Sequence, residues 1–241
     1  MQRSSAPGSE ADRKKNEEGQ AIDGPIREYF ANRREEMLAF LPQQYARVLE
    51  VGCGEGGFTT LLARGTEVWG VEPDRVSAAR AANRMHRVLV GTYERVADEL
   101  PDAYFDLVVC NDVIEHMIDP EAFLKSLHRK LAAGGHVVAS IPNVRHWETL
   151  FELLWQKDWR YRKSGTLDRT HLRFYTKKSI LRLFRESGFE VERIAGINQS
   201  NKRWRRLAFS LLSILTVGRL DDVRFPQFAI RVVWSKGDEP C

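Results

Sequence analysis

The stretch Arg47-Val48-Leu49-Glu50-Val51-Gly52-Cys53-Gly54-Glu55-Gly56-Gly57 decides the fold. A short apolar run carries a carboxylate near its end and then breaks into closely spaced glycines. This is the pattern of a strand turning sharply into the next element. Glycine serves there because the turn needs positive φ and because a ligand must approach the backbone closely. Gly52, Gly54 and Gly57 also fit the G-x-G-x-x-G spacing of dinucleotide sites. The glycines alone therefore announce a ligand without choosing it.

Outward from this loop, short apolar runs alternate with longer amphipathic ones. The patterning predicts strands over 47–52, 67–72, 87–91, 105–111 and 136–141, and helices over 56–64, 75–85 and 120–131. Runs such as Leu107-Val108-Val109-Cys110 suit strands covered on both faces, so the class is α/β, with a mostly parallel sheet and helices on both sides. Ahead of the loop, Tyr29, Phe30, Met37, Leu38, Phe40 and Leu41 recur at helical spacing until Pro42. Beyond it, 143–175 is aromatic and basic without a period. A helix over 177–186, a strand over 189–195, a helix over 203–218 and a strand over 227–234 follow, the two strands suiting an antiparallel pair that closes the sheet. Residues 1–24 read as a disordered tail, and 25–236 as one domain. Within it, 143–175 is a substrate-covering insertion and 200–220 a lid or interfacial helix.

Composition narrows the classes. Of 241 residues, 43% are hydrophobic and 29% charged, which excludes a fibrous or wholly disordered chain. A net charge of +4 admits anionic partners but is more simply a solvated surface. Cys53, Cys110 and Cys241 are odd in number and lack metal-like spacing, which argues against a disulfide framework and for a reducing, cytoplasmic setting. The polar start is unlike a signal peptide, and no apolar run approaches the ~20 residues of a membrane span.

Glu50 separates the two cofactors that the glycines admit. Its carboxylate would repel a dinucleotide's pyrophosphate, whereas S-adenosylmethionine carries an ammonium and a sulfonium. With Glu50 included, the loop resembles the acidic-x-Gly-x-Gly-x-Gly motif of the class I S-adenosylmethionine-dependent methyltransferases. Val71-Glu72-Pro73-Asp74 is similar to their second motif, 105–116 to their fourth-strand motif, and Leu131-Ala132-Ala133-Gly134-Gly135 with Ile141-Pro142-Asn143 to the fifth. The likeness covers about 30–233. It implies a Rossmann-like, seven-stranded sheet with an antiparallel last strand. It implies S-adenosylmethionine held by Glu50, Gly52, Cys53, Gly54, Gly56, Glu72, Pro73, Asn111 and Asp112, with Glu72 on the ribose diol. Where many members carry an acidic residue near the adenine, this chain has Gly91-Thr92-Tyr93-Glu94, which leaves that contact to Thr92 and Tyr93.

Methyl transfer from a sulfonium needs an acceptor held in line and, for a hydroxyl, a base. Three clusters can reach the carboxyl ends of the fourth and fifth strands: Asp112-x-x-Glu115-His116 with Asp119; Asn143-Val144-Arg145-His146; and 168–176. His171 is the first choice of base, oriented by Asp168, because it lies among polar neighbours in a loop; His116 and His146 are the alternatives. Against each stands the plainer reading of a histidine that caps a helix or holds a neighbouring group. The 168–176 string, with Ser140-Ile141-Pro142-Asn143, resembles a bacterial subgroup often encoded beside polysaccharide or glycolipid enzymes. That implies O-methylation of a sugar or another small hydroxyl compound. Asp112, Glu115, His116 and His171 also resemble the metal ligands of ubiquinone-pathway and small-RNA O-methyltransferases, which implies a divalent metal. Packing of Glu115-His116 against the cofactor's homocysteine end, without metal, is the preferred reading.

Trp159, Arg160, Tyr161, Arg162 and Lys163 can stack on rings and pair with phosphates. A lid with solvent-facing charges is preferred there to a nucleic-acid site. Lys202-Arg203-Trp204-Arg205-Arg206 precedes an apolar run striped by Ser210, Ser213 and Thr216. Residues 202–218 read as an interfacial helix on an anionic inner membrane, as a lid helix, or as a homodimer contact. An NAD-dependent sugar epimerase or dehydrogenase would need a Tyr-x-x-x-Lys pair or another hydride-transfer constellation, and none is found after the fourth strand. A non-catalytic binding protein would have lost Glu50 or Glu72, and both are present.

Overall fold

The computed structural model describes residues 33–234. The expected tail, and Tyr29 and Phe30 of the expected first helix, lie outside the described residues. The strands are β1 (Arg47–Val51), β2 (Glu67–Glu72), β3 (Arg87–Val90), β4 (Phe105–Asn111), β5 (Leu131–Pro142), β6 (Glu190–Ile197) and β7 (Gln227–Val233). They form one sheet in the order β3-β2-β1-β4-β5-β7-β6. β1 to β5 pair in parallel, and β7 runs antiparallel to both its neighbours, β5 and β6. Strand order reverses between β1 and β4. The carboxyl ends of those two strands therefore open the crevice where ligands bind in such sheets.

The helices are α1 (Arg75–Ala81), α2 (Tyr93–Val96), α3 (Pro120–Lys130), α4 (Trp147–Phe151), α5 (Lys177–Glu186) and α6 (Arg203–Leu215). On one face of the sheet, Leu49, Val108, Cys110 and Ala139 pack with Tyr93 of α2, Phe123 and Leu127 of α3, and Ile180 and Phe184 of α5. On the other, Val48, Leu107, Val109 and Val138 pack with Ala81 of α1 and with Met37, Phe40 and Phe58. Successive strand residues thus enter opposite cores, which is why these strands read as unbroken apolar runs. Helix starts follow local chemistry. Asp119 accepts the Ala122 N–H at 2.9 Å with Pro120 in the first turn, and Thr176 and Ser179 close a reciprocal capping box on α5.

The structure corrects three expected elements. The segment after the glycine loop is not a helix over 56–64 but a short 3₁₀ turn, Phe58–Leu61. Thr60 donates its hydroxyl back to the Gly57 carbonyl at 2.8 Å and Thr59 donates to Glu50, so side chains compete with helical bonding beside two glycines. The run before Pro42 is likewise 3₁₀, Glu35–Phe40. β5 begins at Leu131 rather than at 136, because Leu131 pairs with Phe105 across a register shift.

Candidate active site

The turn out of β1 is tied by its backbone to β2. The N–H groups of Gly52 and Cys53 donate to the Val71 carbonyl at 2.8 and 3.2 Å. Gly52, Gly54 and Gly56 have φ of 68°, 53° and 75°, a region that strains residues with a Cβ. A Cβ on Gly52 would lie 2.6 Å from Val113 Cγ2, so the loop and the segment after β4 meet with no room for a side chain. Cys53 turns its thiol inward beside Gly70 and offers the site only its backbone; burial pushes that thiol up.

Glu72, at the end of β2, is already aimed. Its Oε2 accepts the Gly54 N–H at 2.8 Å and its Oε1 accepts the Asp74 N–H at 2.9 Å. Each oxygen keeps a lone pair, which suits a vicinal diol. Pro73 lies exposed at the rim. Glu50 is 4% exposed and accepts one side-chain hydrogen bond, from the Thr59 hydroxyl at 2.8 Å. Burial, reinforced by the negative charge of Glu72, pushes its pKa up to about 8, against the pull of Thr59. Among the described residues no salt bridge reaches it. Asn111, which ends β4, has both amide atoms buried with no partner among the described residues. Orphaned buried polar atoms cost about 1–3 kcal/mol each unless a ligand meets them. A buried carboxylate without a counter-ion, a prepared diol acceptor and an unpaired amide together fit a cationic nucleoside.

Asp112 departs from expectation. It takes a left-handed φ of 56°, and its carboxylate accepts from Arg34, from Ser140 Oγ at 3.0 Å and from Gln227 Nε2 at 2.8 Å. Arg34 Nη2 also reaches Ser140 Oγ at 2.7 Å. Asp112 therefore ties the 33–40 segment to β4, β5 and β7 and stands outside the histidine cluster. Arg34 was not legible as a site residue, because it lies within the charged run Arg33-Arg34-Glu35-Glu36 and its partners are distant in sequence.

The histidine cluster forms where a loop is stitched onto the turn after β4. Leu172 and Arg173 donate their N–H groups to the Glu115 carbonyl at 2.8 and 3.1 Å, and Arg173 Nη2 donates to the Ile118 carbonyl at 2.8 Å. Glu115, His116 and His171 each place a ligand-type atom within 4.8 Å of the others. The two imidazoles meet edge to face at 4.7 Å, and His171 Nε2 lies 3.9 Å from Glu115 Oε1. His171 Nδ1 lies 3.0 Å from the Thr166 carbonyl and His116 Nδ1 lies 3.1 Å from the Thr170 carbonyl. A carbonyl only accepts, so each neutral ring carries its proton on Nδ1 and leaves Nε2 as a lone pair. Burial lowers the pKa of His171, which keeps the ring neutral and able to take a proton. Glu115 is 1% exposed with both oxygens unpartnered; burial first, then the charge of Asp112, hold its carboxyl well above the usual range. An open cavity of about 530 Å³ adjoins the cluster, lined by Tyr161, Arg169, His171, Leu172 and Phe174.

Other expected residues lie elsewhere or act differently. Asp168 does not orient His171. It accepts the N–H and hydroxyl of Thr170 at 2.8 and 2.6 Å, closing its own turn, and the Thr166 carbonyl orients the ring instead. His146 precedes α4, 3.9 Å from Glu148, and burial lowers its pKa. Asn143 is satisfied by Asp222, Phe225 and Arg145 and anchors the end of β5. The Tyr93 ring is in the core, edge-on to Phe123 at 4.8 Å, with its hydroxyl accepting from Ser126. Thr92 makes no capping bond with its side chain.

Comparison with known proteins agrees with this geometry. A family model described as a methyltransferase domain matches residues 22–194. A ubiquinone biosynthesis O-methyltransferase of Pseudomonas aeruginosa is 32% identical over 162 residues, covering 63% of this chain and 67% of that protein. The fold is similar to that of a SAM-dependent methyltransferase from Archaeoglobus fulgidus, with a TM-score of 0.60, 19% identity, and 91% and 99% of the two chains covered. It is also similar to an S-adenosylmethionine-dependent methyltransferase from Mesorhizobium loti, with a TM-score of 0.57, 18% identity, and 82% and 95% covered.

Proposed function

The chain belongs to the class I S-adenosylmethionine-dependent methyltransferases, and on that premise we propose that it methylates a hydroxyl oxygen of a small, ring-bearing acceptor. The observation that carries this reading is the meeting of Glu115, His116 and His171 beside an open cavity. When bound, S-adenosylmethionine supplies a methyl group already activated by its sulfonium charge. The chain's own work is to hold the acceptor oxygen in line and to receive its proton. His171 Nε2 is the base in this reading, since its Nδ1 is engaged by the Thr166 carbonyl. Tyr161 and Phe174 offer faces to an acceptor ring and Arg169 offers a cation to an anionic substituent. The name of the Pseudomonas aeruginosa relative supports oxygen as the acceptor atom; the likeness of 168–176 to a polysaccharide-associated subgroup supports a sugar ring.

A second reading rests on the two orphaned oxygens of Glu115. Glu115, His116 and His171 would hold a divalent ion, with both Nδ1 atoms already fixed by backbone carbonyls as ligand histidines require. An ion there supplies a Lewis acid that makes an acceptor hydroxyl more acidic.

The test is transfer of labelled methyl to a panel of catechols and glycosides. His171→Ala should slow turnover by about 10²–10⁴-fold while leaving S-adenosylmethionine binding within twofold. Undiminished turnover would remove His171 as the base. Activity that survives EDTA would sink the ion; loss restored by Mn²⁺ would establish it.

A further inference from the structure

Helix α6 is turned inside out. At about 100° per residue, Trp204, Leu207, Leu211, Ile214 and Leu215 share one face, and that face is outward, each side chain 58% or more exposed. The side facing the body carries Arg205, Phe209, Leu212, Ser213 and Thr216, all partly buried, and no α6 residue is fully buried. A helix made to pack on a core would place its leucines inward.

Charge and neighbourhood say what meets this face. Lys202, Arg203, Arg205 and Arg206 crowd its start, and no Asp or Glu occurs between Glu192 and Asp221. Beside it, α4 runs into a π-helical turn, Glu152–Gln156, and exposes Phe151, Leu153, Leu154 and Trp155. Arg205 lies over the Trp147 ring at 5.1 Å and Phe209 packs 6.5 Å from it, which joins the two elements into one surface. Leucines and tryptophans rimmed by cations are the composition that settles at lipid headgroups. A second copy of the chain is a poorer occupant, because residues 193–220 hold no carboxylate to pair with the other copy's arginines.

We propose that α6 and the adjoining end of α4 form a docking surface for an anionic lipid bilayer. Among the described residues no helix is long and apolar enough to cross a membrane, so α6 lies in the plane of the interface. The surface shares no residue with the cofactor loop or with Glu115, His116 and His171, and the proposal is independent of which acceptor is methylated.

The test is cosedimentation of the full chain with phosphatidylcholine vesicles and with vesicles in which one lipid in three is phosphatidylglycerol. Two variants accompany it, Leu207→Gln with Ile214→Gln, and Arg203→Gln with Arg206→Gln. Both alter exposed side chains outside the site, and S-adenosylmethionine titration confirms that each remains folded. The wild type should pellet with anionic vesicles only, and raised salt should release it. The Arg203→Gln, Arg206→Gln variant should bind them roughly 30-fold more weakly, and the Leu207→Gln, Ile214→Gln variant at least about tenfold more weakly. Three results would each overturn the proposal: no pelleting with anionic vesicles, equal pelleting with neutral ones, or variants that bind like the wild type. A Leu207→Gln, Ile214→Gln variant that turned a dimer into a monomer while vesicle binding held would overturn it too and give the face to a second copy.

Discussion

Glu50 and Glu72 are both buried carboxylates at the cofactor loop, yet they are prepared differently. Glu72 is fixed by two backbone N–H groups, whereas Glu50 has one hydroxyl and, among the described residues, no cation. With its pKa pushed up to about 8, Glu50 is protonated at neutral pH in the unliganded protein. Its contribution to stability is fully present below the ordinary carboxyl value of 4.5 and is lost as pH rises through about 8. A cationic ligand favours the ionised form, so binding should expel a proton. The affinity for S-adenosylmethionine should therefore rise with pH toward about 8 and then level. Calorimetry in buffers of different ionisation enthalpy would detect the released proton, and Glu50→Gln should abolish both release and slope. At this scale the sequence was legible in position, since Glu50 and Glu72 stand buried at the strand ends beside the glycine loop. It was misleading at Asp112 and Asp168. The first is claimed by Arg34, 78 positions away, and the second by Thr170, two positions away. The first leaves no trace in local pattern, whereas the second is a local Asp-x-Thr turn that the sequence itself offers.

The glycine loop shows what a whole element asks of its sequence. Gly52 meets two separate demands, a φ of 68° and a Cβ position 2.6 Å from Val113 Cγ2. Gly52→Ala should cost about 1–3 kcal/mol of stability and weaken S-adenosylmethionine binding. Adding Val113→Ala should recover the steric part only, a split that denaturant unfolding of the single and double variants would measure. Full recovery by the double variant would mean that the backbone conformation carries no strain. Strands β1, β2 and β4 were readable because their apolar runs are buried on both faces, and α3 and α5 because their caps are local. The elements around the site were not. Residues 58–61 and 35–40 form 3₁₀ turns where hydroxyls and long-range packing override the helical spacing, and 147–151 is a helix inside a stretch without period.

Across the whole molecule, Arg34 binds the beginning of the described chain to its middle and its end. It touches Asp112 after β4, Ser140 in β5 and Gln227 in β7. Arg34→Ala would leave the Asp112 carboxylate buried without its cation, and breaking such a pair costs about 3–5 kcal/mol. Thermal unfolding should register that loss. The double variant Arg34→Met with Asp112→Asn should recover most of it, since it leaves no lone buried charge. A single Arg34→Ala variant as stable as the wild type would show that the network orders the 33–40 segment without stabilising the fold.

The place of β7 sets a timetable. It is the last of the seven strands to be synthesised, yet it fits between β5 and β6, and its first residue, Gln227, donates to Asp112. Until the ribosome has released that strand, β5 presents a bare edge and the Asp112 network lacks one of its arms. A nascent chain can therefore shape the glycine loop early but cannot lock the finished site until Gln227–Val233 has emerged. An arrested or clipped chain ending before Gln227 should be aggregation-prone and inactive, and should not be a weaker working enzyme.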